Sequence, residues 1–315
     1  MNKSTIAIII PCFNGEVFLE QTIISVLSQS YKNFNLYLLN NGSTDNSLSI
    51  MKKYKKIDNR IKIINNKFKT SKAKSINTLL KKISNKIVSL IDADDIMLKN
   101  KTKIQINYLK RNPNVKFLSC LGTYITDGRK TYGKTINQIE SHKSCFELIK
   151  KGKNVGILTP GIIFYRSIFL KLGGFREKFW PCDDTDLWTR CAEKKHIIYV
   201  IPKVLIKYRI HSNSITTSDF FLSRKKNDWV NDCLKRRLKK KNEITFNEYC
   251  KNLKKRNFFK KILNYLDDSC DFYFRNTIIF IINNDFSKIL FFLFLSFLHN
   301  PLRFYFKVHK RIFIN

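Results

Sequence analysis

Between residues 6 and 91, short apolar runs alternate with stretches of helical spacing. Ile6 to Ile10, Phe34 to Leu39, Arg60 to Ile64 and Ile87 to Ile91 read as strands, each bounded by polar turn residues. Glu16 to Gln29, a segment running to about Tyr54, and Ser71 to Ile83 read as helices; in the first, Phe18, Ile23, Val26 and Leu27 face the core. This alternation argues for a parallel sheet with right-handed crossovers. The turns after Ile10, Leu39 and Ile91 then share one sheet edge, the place where open α/β sheets bind ligands. All three are polar and unbulky: Pro11-Cys-Phe-Asn-Gly15, Asn40-Asn-Gly-Ser-Thr-Asp45 and Asp92-Ala-Asp-Asp95. Together they outline a nucleotide-sized crevice. Ser43 or Thr44 is placed to cap the second helix.

The third turn carries the chemistry. An apolar strand ends in Asp92, Asp94 and Asp95. Mg²⁺ or Mn²⁺ takes hard oxygen ligands, commonly one or two carboxylates completed by substrate phosphates. Asp-x-Asp spacing lets two carboxylates meet one ligand on a turning backbone. The plainer role for these residues is to cap a helix beginning near Leu98.

Farther along, Lys101 to Lys110 reads as a helix and Val115 to Tyr124 as a strand. Gly161 to Arg166 is a strand, followed by a short helix closed by Gly173-Gly174. Asp183 to Ala192 is a short helix; Ile197 to Ile201 and Val204 to Ile210 are strands that lead to His211. Trp180 and Trp188 are expected in the core. Composition shifts near residue 220. Arg224 to Lys261 holds fifteen Lys/Arg against four Asp/Glu, and Phe272 to Phe313 is rich in Phe and Ile. The expected organisation is therefore one domain over residues 1–219 and a helical, basic, amphipathic extension over 220–315.

The formal net charge is +35, which fits nucleic acid, anionic substrates or an anionic membrane surface. A nucleic-acid binder would account for the basic stretch but not for carboxylates gathered at a strand end and before Leu187, since phosphate-binding grooves seldom hold them. The eight cysteines include no C-x-x-C pair, so they read as reduced packing thiols rather than a zinc site. The amino terminus has no signal-peptide layout. The most apolar run, Ile289 to Leu298, has ten residues, about half of what a membrane-crossing helix needs.

Taken together, these pieces resemble the family 2 glycosyltransferases, GT-A-fold enzymes that use nucleotide-sugar donors. The likeness rests on Ile8-Ile-Ile-Pro-Cys-Phe-Asn-Gly15, Ser25-Val-Leu-Ser-Gln-Ser-Tyr31, Asn41-Gly-Ser-Thr-Asp45 and Leu90-Ile-Asp-Ala-Asp-Asp95. On the acceptor side it rests on Gly173-Gly-Phe175, Asp183-Asp-Thr-Asp-Leu-Trp188 and Tyr208-Arg-Ile-His211, so that it covers residues 4 to 215. It implies a GT-A-type α/β fold with a mostly parallel central sheet flanked by helices.

The resemblance also implies roles. Asp92 meets the ribose or uracil side of the donor, and Asp94 coordinates Mn²⁺ or Mg²⁺ bridging the diphosphate. His211 reaches the metal or diphosphate from the far side. Asp184 is the catalytic base, and Pro11, Phe13 and Asn14 lie under or beside the nucleotide. Three departures stand out. Asn40-Asn41 replaces the frequent Asp-Asp, so Asn41 accepts the uracil N–H with an uncharged oxygen. Lys74, in Ala73-Lys-Ser75, replaces an arginine and keeps the charge for phosphate without the bidentate fork. Asp183-Asp184 replaces the more common Glu-Asp.

The expected activity is inverting transfer of a sugar, hexosyl or N-acetylhexosaminyl, to a lipid-linked or surface-polysaccharide acceptor, with UDP as the first choice of nucleotide. The basic, aromatic extension suggests peripheral contact with an anionic membrane, at the cytoplasmic face of the cell membrane. No nucleic acid is expected as partner. A catalytically decayed scaffold of the same fold is the alternative that the Asn40-Asn41 and Lys74 departures keep open.

Overall fold

A computed structural model describes residues 5–126, 131–135, 137–211, 219–255, 257–282 and 286–313. The chain divides into two compact units, residues 1–124 with 134–209, and residues 125–133 with 210–315.

In the first unit, β1 (Ile6–Cys12), β2 (Phe34–Asn40), β3 (Ile61–Asn65) and β4 (Ile87–Leu90) form the parallel half of a sheet. They alternate with α1 (Glu16–Leu27), α2 (Ser47–Ile57) and α3 (Lys72–Lys82). β1 is buried along its whole length because β2 and β4 flank it in parallel. This is why its sequence is a continuous apolar run rather than an alternating one. Register carries Cys12 to Asn40 and Asn40 to Asn65, and Ile9 to Leu90. The carboxyl ends of β1, β2 and β4 thus lie on one edge, with their three polar turns beyond them.

The sheet continues through β5 (Ile96–Met97), β6 (Val115–Ile125), β7 (Thr131–Lys134), β8 (Ile163–Tyr165) and β9 (Ile197–Arg209). Its order is β3-β2-β1-β4-β8-β6-β9-β5. β8 runs antiparallel to both β4 and β6, and β5 antiparallel to β9. The sheet is therefore half parallel and half mixed. The remaining helices are α4 (Lys101–Arg111), α5 (Ser144–Lys150), α6 (Arg166–Lys171) and α7 (Asp183–Glu193).

Several local expectations change. The segment read as two strands is a single β9 that runs through Pro202, which is exposed. The helix expected near Leu98 begins at Lys101 with Asn100 at its N-cap, and β5 intervenes. Asp92 and Asp94 are thus too far upstream to cap it. α2 begins at Ser47 after Asn46; Ser43 and Thr44 are committed elsewhere, as described below. Trp188 is fully buried against Phe117 and Phe175. Trp180, expected beside it, is 41% exposed.

In the second unit, α8 (Phe220–Leu238) and α9 (Phe246–Lys254) pack through Trp229, whose ring lies 5.4 Å from Phe246. A capping box formed by Thr245 and Glu248 starts α9. α10 (Phe258–Ile282), α11 (Phe286–His299) and α12 (Pro301–Phe313) complete it. α10 and α11 meet at small residues: the Ser296 hydroxyl donates to the Cys270 carbonyl at 3.0 Å. Asp267, Asp268 and Asp271 of α10 pair with Arg224 of α8 and with Arg303 and Lys307 of α12. No described helix is long and apolar enough to cross a membrane.

Candidate active site

The two amino-terminal turns are stapled together. The Asn14 N–H donates to the Ser43 hydroxyl at 3.1 Å, and the Asn14 side-chain oxygen accepts from the Thr44 N–H at 2.9 Å. Asp45 accepts from the Glu16 N–H, and Glu16 accepts from the Asn46 N–H, each at 2.9 Å. Asn14 stands at φ 52°, the left-handed region that Asn tolerates better than most residues. Gly42 stands at φ 83° with Phe68 backbone so close that a Cβ would lie 2.5 Å from its carbonyl carbon. Only glycine satisfies both conditions.

The expected donor residues fall on this floor. Pro11 is buried at the end of β1, while Phe13 and Asn14 are exposed beyond it. Lys69 sits 4.7 Å over the Phe13 ring. Asn41 is buried; its N–H donates to the Cys12 carbonyl at 2.8 Å and its side-chain oxygen accepts from Asn66 at 3.3 Å. That oxygen has a second lone pair for a ligand N–H. Asn40 is consumed internally, donating to Asn65 and accepting from the Ser43 N–H.

Beyond β4, Asp92 and Asp94 are half-buried and Asp95 is fully buried. Asp95 faces inward: one oxygen accepts from the Arg209 N–H at 2.8 Å, and the other is buried with no hydrogen-bond partner among the described residues. Arg209 is itself buried, donating to the Asp94 carbonyl and lying 4.2 Å over Phe18. Arg209 therefore fixes the backbone that carries the acids.

A residue not singled out in the sequence completes this cluster. Lys72, one turn-start residue of α3, forms an ion pair with Asp92. Solvent still reaches 38% of the Lys72 side chain and 32% of Asp92. Burial opposes the Lys72 charge, but Asp92, Asp183 and Asp184 together raise its pKa above the ordinary value. Burial also raises the Asp92 pKa; Lys72 opposes that rise, and Asp94 and Asp184 add to it. The acids after β4 and those opening α7 thus belong to one electrostatic cluster, with Lys72 in it. Lys74 is exposed two positions on, where its backbone N–H donates to the α3 cap Ser71. The sequence signal for Lys72 was its place at the start of a helix beside the crevice, but the family-like pattern pointed to its neighbour.

Asp184 is held by three donors. The Thr159 hydroxyl meets one oxygen at 2.6 Å; the Thr185 N–H at 2.6 Å and its hydroxyl at 3.3 Å meet the other. Trp188 supports Thr159 through its indole N–H at 3.3 Å. Beside it, Asp183 is pushed up to about 7 by burial and by the Asp184 charge, with Lys72 acting the other way. Asp186 has a different job: fully buried, it pairs with Arg176 and Arg190 and locks α7 in place. His211 is half-buried two residues beyond β9, in the second unit.

The sequence pattern of Glycosyl transferase family 2 matches residues 7–173, more than half of the chain. The chain belongs to this family. A relative within reach is the Escherichia coli UDP-Glc:alpha-D-GlcNAc-diphosphoundecaprenol beta-1,3-glucosyltransferase WfgD. It is 28% identical over 222 residues, which cover 70% of this chain and 83% of WfgD. The putative teichuronic acid biosynthesis glycosyltransferase TuaG of Bacillus subtilis is 25% identical over 223 residues, 71% of this chain and 86% of TuaG. Among solved structures, S. aureus TarS 1–349 in complex with UDP-GlcNAc aligns with a TM-score of 0.56 at 14% identity, covering 95% of this chain and 91% of that one. The Pyrobaculum calidifontis mannosyltransferase PcManGT, in complex with GDP-Man and Mn²⁺, aligns with a TM-score of 0.56 at 17% identity, over 74% of this chain and 64% of its own. These structures establish the GT-A fold for this family 2 member.

The acid cluster suits a divalent cation. Its donors are hard carboxylate oxygens; burial, with the neighbouring carboxylates adding to it, raises the pKa of Asp92 and pushes that of Asp95 well up. Among the described residues no three His, Cys, Asp or Glu side chains form a complete metal site. Asp94, with Asp92 beside it, could hold such an ion only in company with ligand phosphates.

Proposed function

We propose that this glycosyltransferase is an inverting enzyme that moves a sugar from a nucleotide-sugar donor, with UDP as nucleotide, to a lipid-linked or cell-surface polysaccharide acceptor, with a divalent metal. One observation carries the reading: Lys72 pairs with Asp92 at the end of β4, and Asp184 at the start of α7 lies close enough to act on both. A donor-side acid and an acceptor-side acid in one crevice is what displacement at a sugar carbon requires.

The roles are those the family resemblance implies, and the geometry supports them. The stapled turns seat the nucleoside, with Asn41 offering an oxygen to the base and Phe13 a ring edge. Asp92 holds the ribose side, and Lys72 fixes its orientation. Asp94 would hold Mn²⁺ or Mg²⁺ together with the donor phosphates. A cation bound there supplies Lewis-acid stabilisation of the departing nucleoside diphosphate. Lys74 adds positive charge on the exposed side of α3. Asp184, oriented by Thr159 and Thr185, takes the acceptor hydroxyl proton as the oxygen attacks from the face opposite the leaving group. The stereochemical logic is that of an inverting glycosidase with an acceptor in place of water. His211 is the second proposed metal ligand, on the resemblance alone.

The relatives support the substrate class. WfgD is named for glucosyl transfer from UDP-Glc to a diphosphoundecaprenol-linked sugar, and TarS is seen with UDP-GlcNAc. PcManGT is seen with Mn²⁺. The test is a panel of nucleotide-sugars with Mn²⁺, Mg²⁺ or chelator, read by melting temperature. A bound donor at about 100 times its Kd raises stability by about 2.7 kcal/mol. A UDP-sugar is expected to raise the midpoint with Mn²⁺ or Mg²⁺ and much less with chelator. A response to no nucleotide-sugar sinks the proposal, and a response to GDP-sugars alone moves it to another nucleotide.

A further inference from the structure

The second unit presents an apolar surface that its own fold leaves uncovered. On α11, Phe286, Leu290, Phe294, Phe297 and Leu298 are all about half exposed or more. At 3.6 residues per turn they and Phe291 fall within an arc of roughly 140°. The opposite side of α11 carries Ser296, fully buried against Cys270 of α10. α12 repeats the arrangement. Arg303 and Lys307 turn inward to Asp271, while Leu302, Tyr305 and Phe306 are exposed on another face. The first turn of α10 adds Phe258 and Phe259, 68% and 74% exposed. Patches of this kind mark interaction sites.

Charge decides what the surface fits. The described acids of α10 to α12 are Asp267, Asp268 and Asp271, and each is spent on an internal ion pair. Lys260 and Lys261 on α10 and Lys288 on α11 are exposed and flank the apolar faces of their own helices, and Lys254 and Lys255 are exposed shortly before α10. An apolar face rimmed by lysines suits anionic headgroups over acyl chains. A second copy of the chain would bring one lysine rim against another, which opposes self-pairing. Helices of fourteen and thirteen residues are too short to cross a bilayer and long enough to lie along it.

We infer that the exposed faces of α10, α11 and α12 dock this protein on an anionic phospholipid bilayer, with the helices lying in the interface. This deepens the proposed function by bringing the enzyme to a membrane-held acceptor, and its purpose rests on that reading. Its test does not. Full-length protein is sedimented with vesicles of phosphatidylcholine and phosphatidylglycerol in equal parts, and with phosphatidylcholine alone. Binding to the mixed vesicles is expected to be at least about tenfold tighter and to weaken with salt.

The double variant Leu290→Asp, Phe294→Asp changes only exposed positions. It is expected to lose at least about tenfold in vesicle binding while keeping its melting temperature and its nucleotide-sugar response. Lys260→Glu with Lys261→Glu should weaken binding to the mixed vesicles alone. Equal binding to both vesicle types, or undiminished binding by the Leu290/Phe294 variant, overturns the inference. So does a vesicle-indifferent protein whose light scattering shows a dimer that this variant dissolves. Vesicle binding without any nucleotide-sugar response would instead overturn the proposed function and leave the docking surface standing.

Discussion

The molecule holds two clusters of aspartates, and they are treated in opposite ways. In the second unit, burial alone would raise the pKa of Asp271, but Arg303, Lys307 and Arg224 bring it below its ordinary value. Three acids there meet three cations in direct contact. In the first unit, Asp92, Asp95 and Asp183 are all raised, with burial as the leading cause and neighbouring carboxylates adding to it. Lys72 pairs with Asp92 there. Residue type is the same; the difference is the balance between burial and nearby cations, which lowers Asp271 and leaves Asp92, Asp95 and Asp183 raised. The satisfied cluster holds helices together, and the crowded one is left with an appetite for positive charge. Perturbation of this second kind gathers at functional sites.

Substitution should separate the two clusters sharply. Asp184→Ala, which removes the acid–base group, and Asp94→Ala, which removes a metal ligand, are each expected to lower turnover by at least about 10²-fold, while leaving the melting temperature unchanged or higher. Release of nucleoside diphosphate measures this, and undiminished turnover in either variant removes the assigned role. Asp271→Ala should do the reverse: it strands Arg303 and Lys307 and is expected to cost about 2 kcal/mol in urea unfolding, less than a fully buried pair would because its partners are partly exposed. A stability loss no larger than that of Asp94→Ala would erase the contrast.

The smallest effect concerns pH. Asp183 titrates near 7 in the fold and near 3.9 in an unfolded chain. Between those values the folded state holds the extra proton, so this group makes stability fall as pH rises from about 4 to about 7. Asp183→Asn should flatten that slope and raise the melting temperature above pH 7. Melting curves across the window check the sign, and an unchanged slope shows that Asp183 is not the titrating group.

Much of the parallel half was legible because its signals are local. Ile6 to Ile10 can be little else than a buried strand, and each polar turn sits where register later puts it. The antiparallel placement of β8 was not legible. Ile163 pairs with Ser89 and with Leu118 across long sequence separations, and no short-range pattern states direction. Pro202 misled for a related reason: it reads as a strand break, yet it is exposed in β9, where a missing N–H costs little. Thr44 looked like a helix cap but serves Asn14 across the crevice floor. Lys72 and Asp92 lie twenty residues apart, and their meeting depends on how α3 crosses the sheet. Asp183, Asp184 and Asp186 are nearly interchangeable in sequence. Only partners tell them apart: Arg176 and Arg190 claim Asp186, while Thr159 and Thr185 aim Asp184.

Asn14, Ser43, Thr44, Glu16 and Asn46 tie the first two turns into one piece. On the proposed reading, an arriving nucleotide meets a finished cradle rather than two loops that must first find each other. Little ordering entropy is left to lose there on association. On that reading, selection among bases falls to the shape and lone pairs already standing in the floor, and any slow closing motion has to come from elsewhere in the molecule.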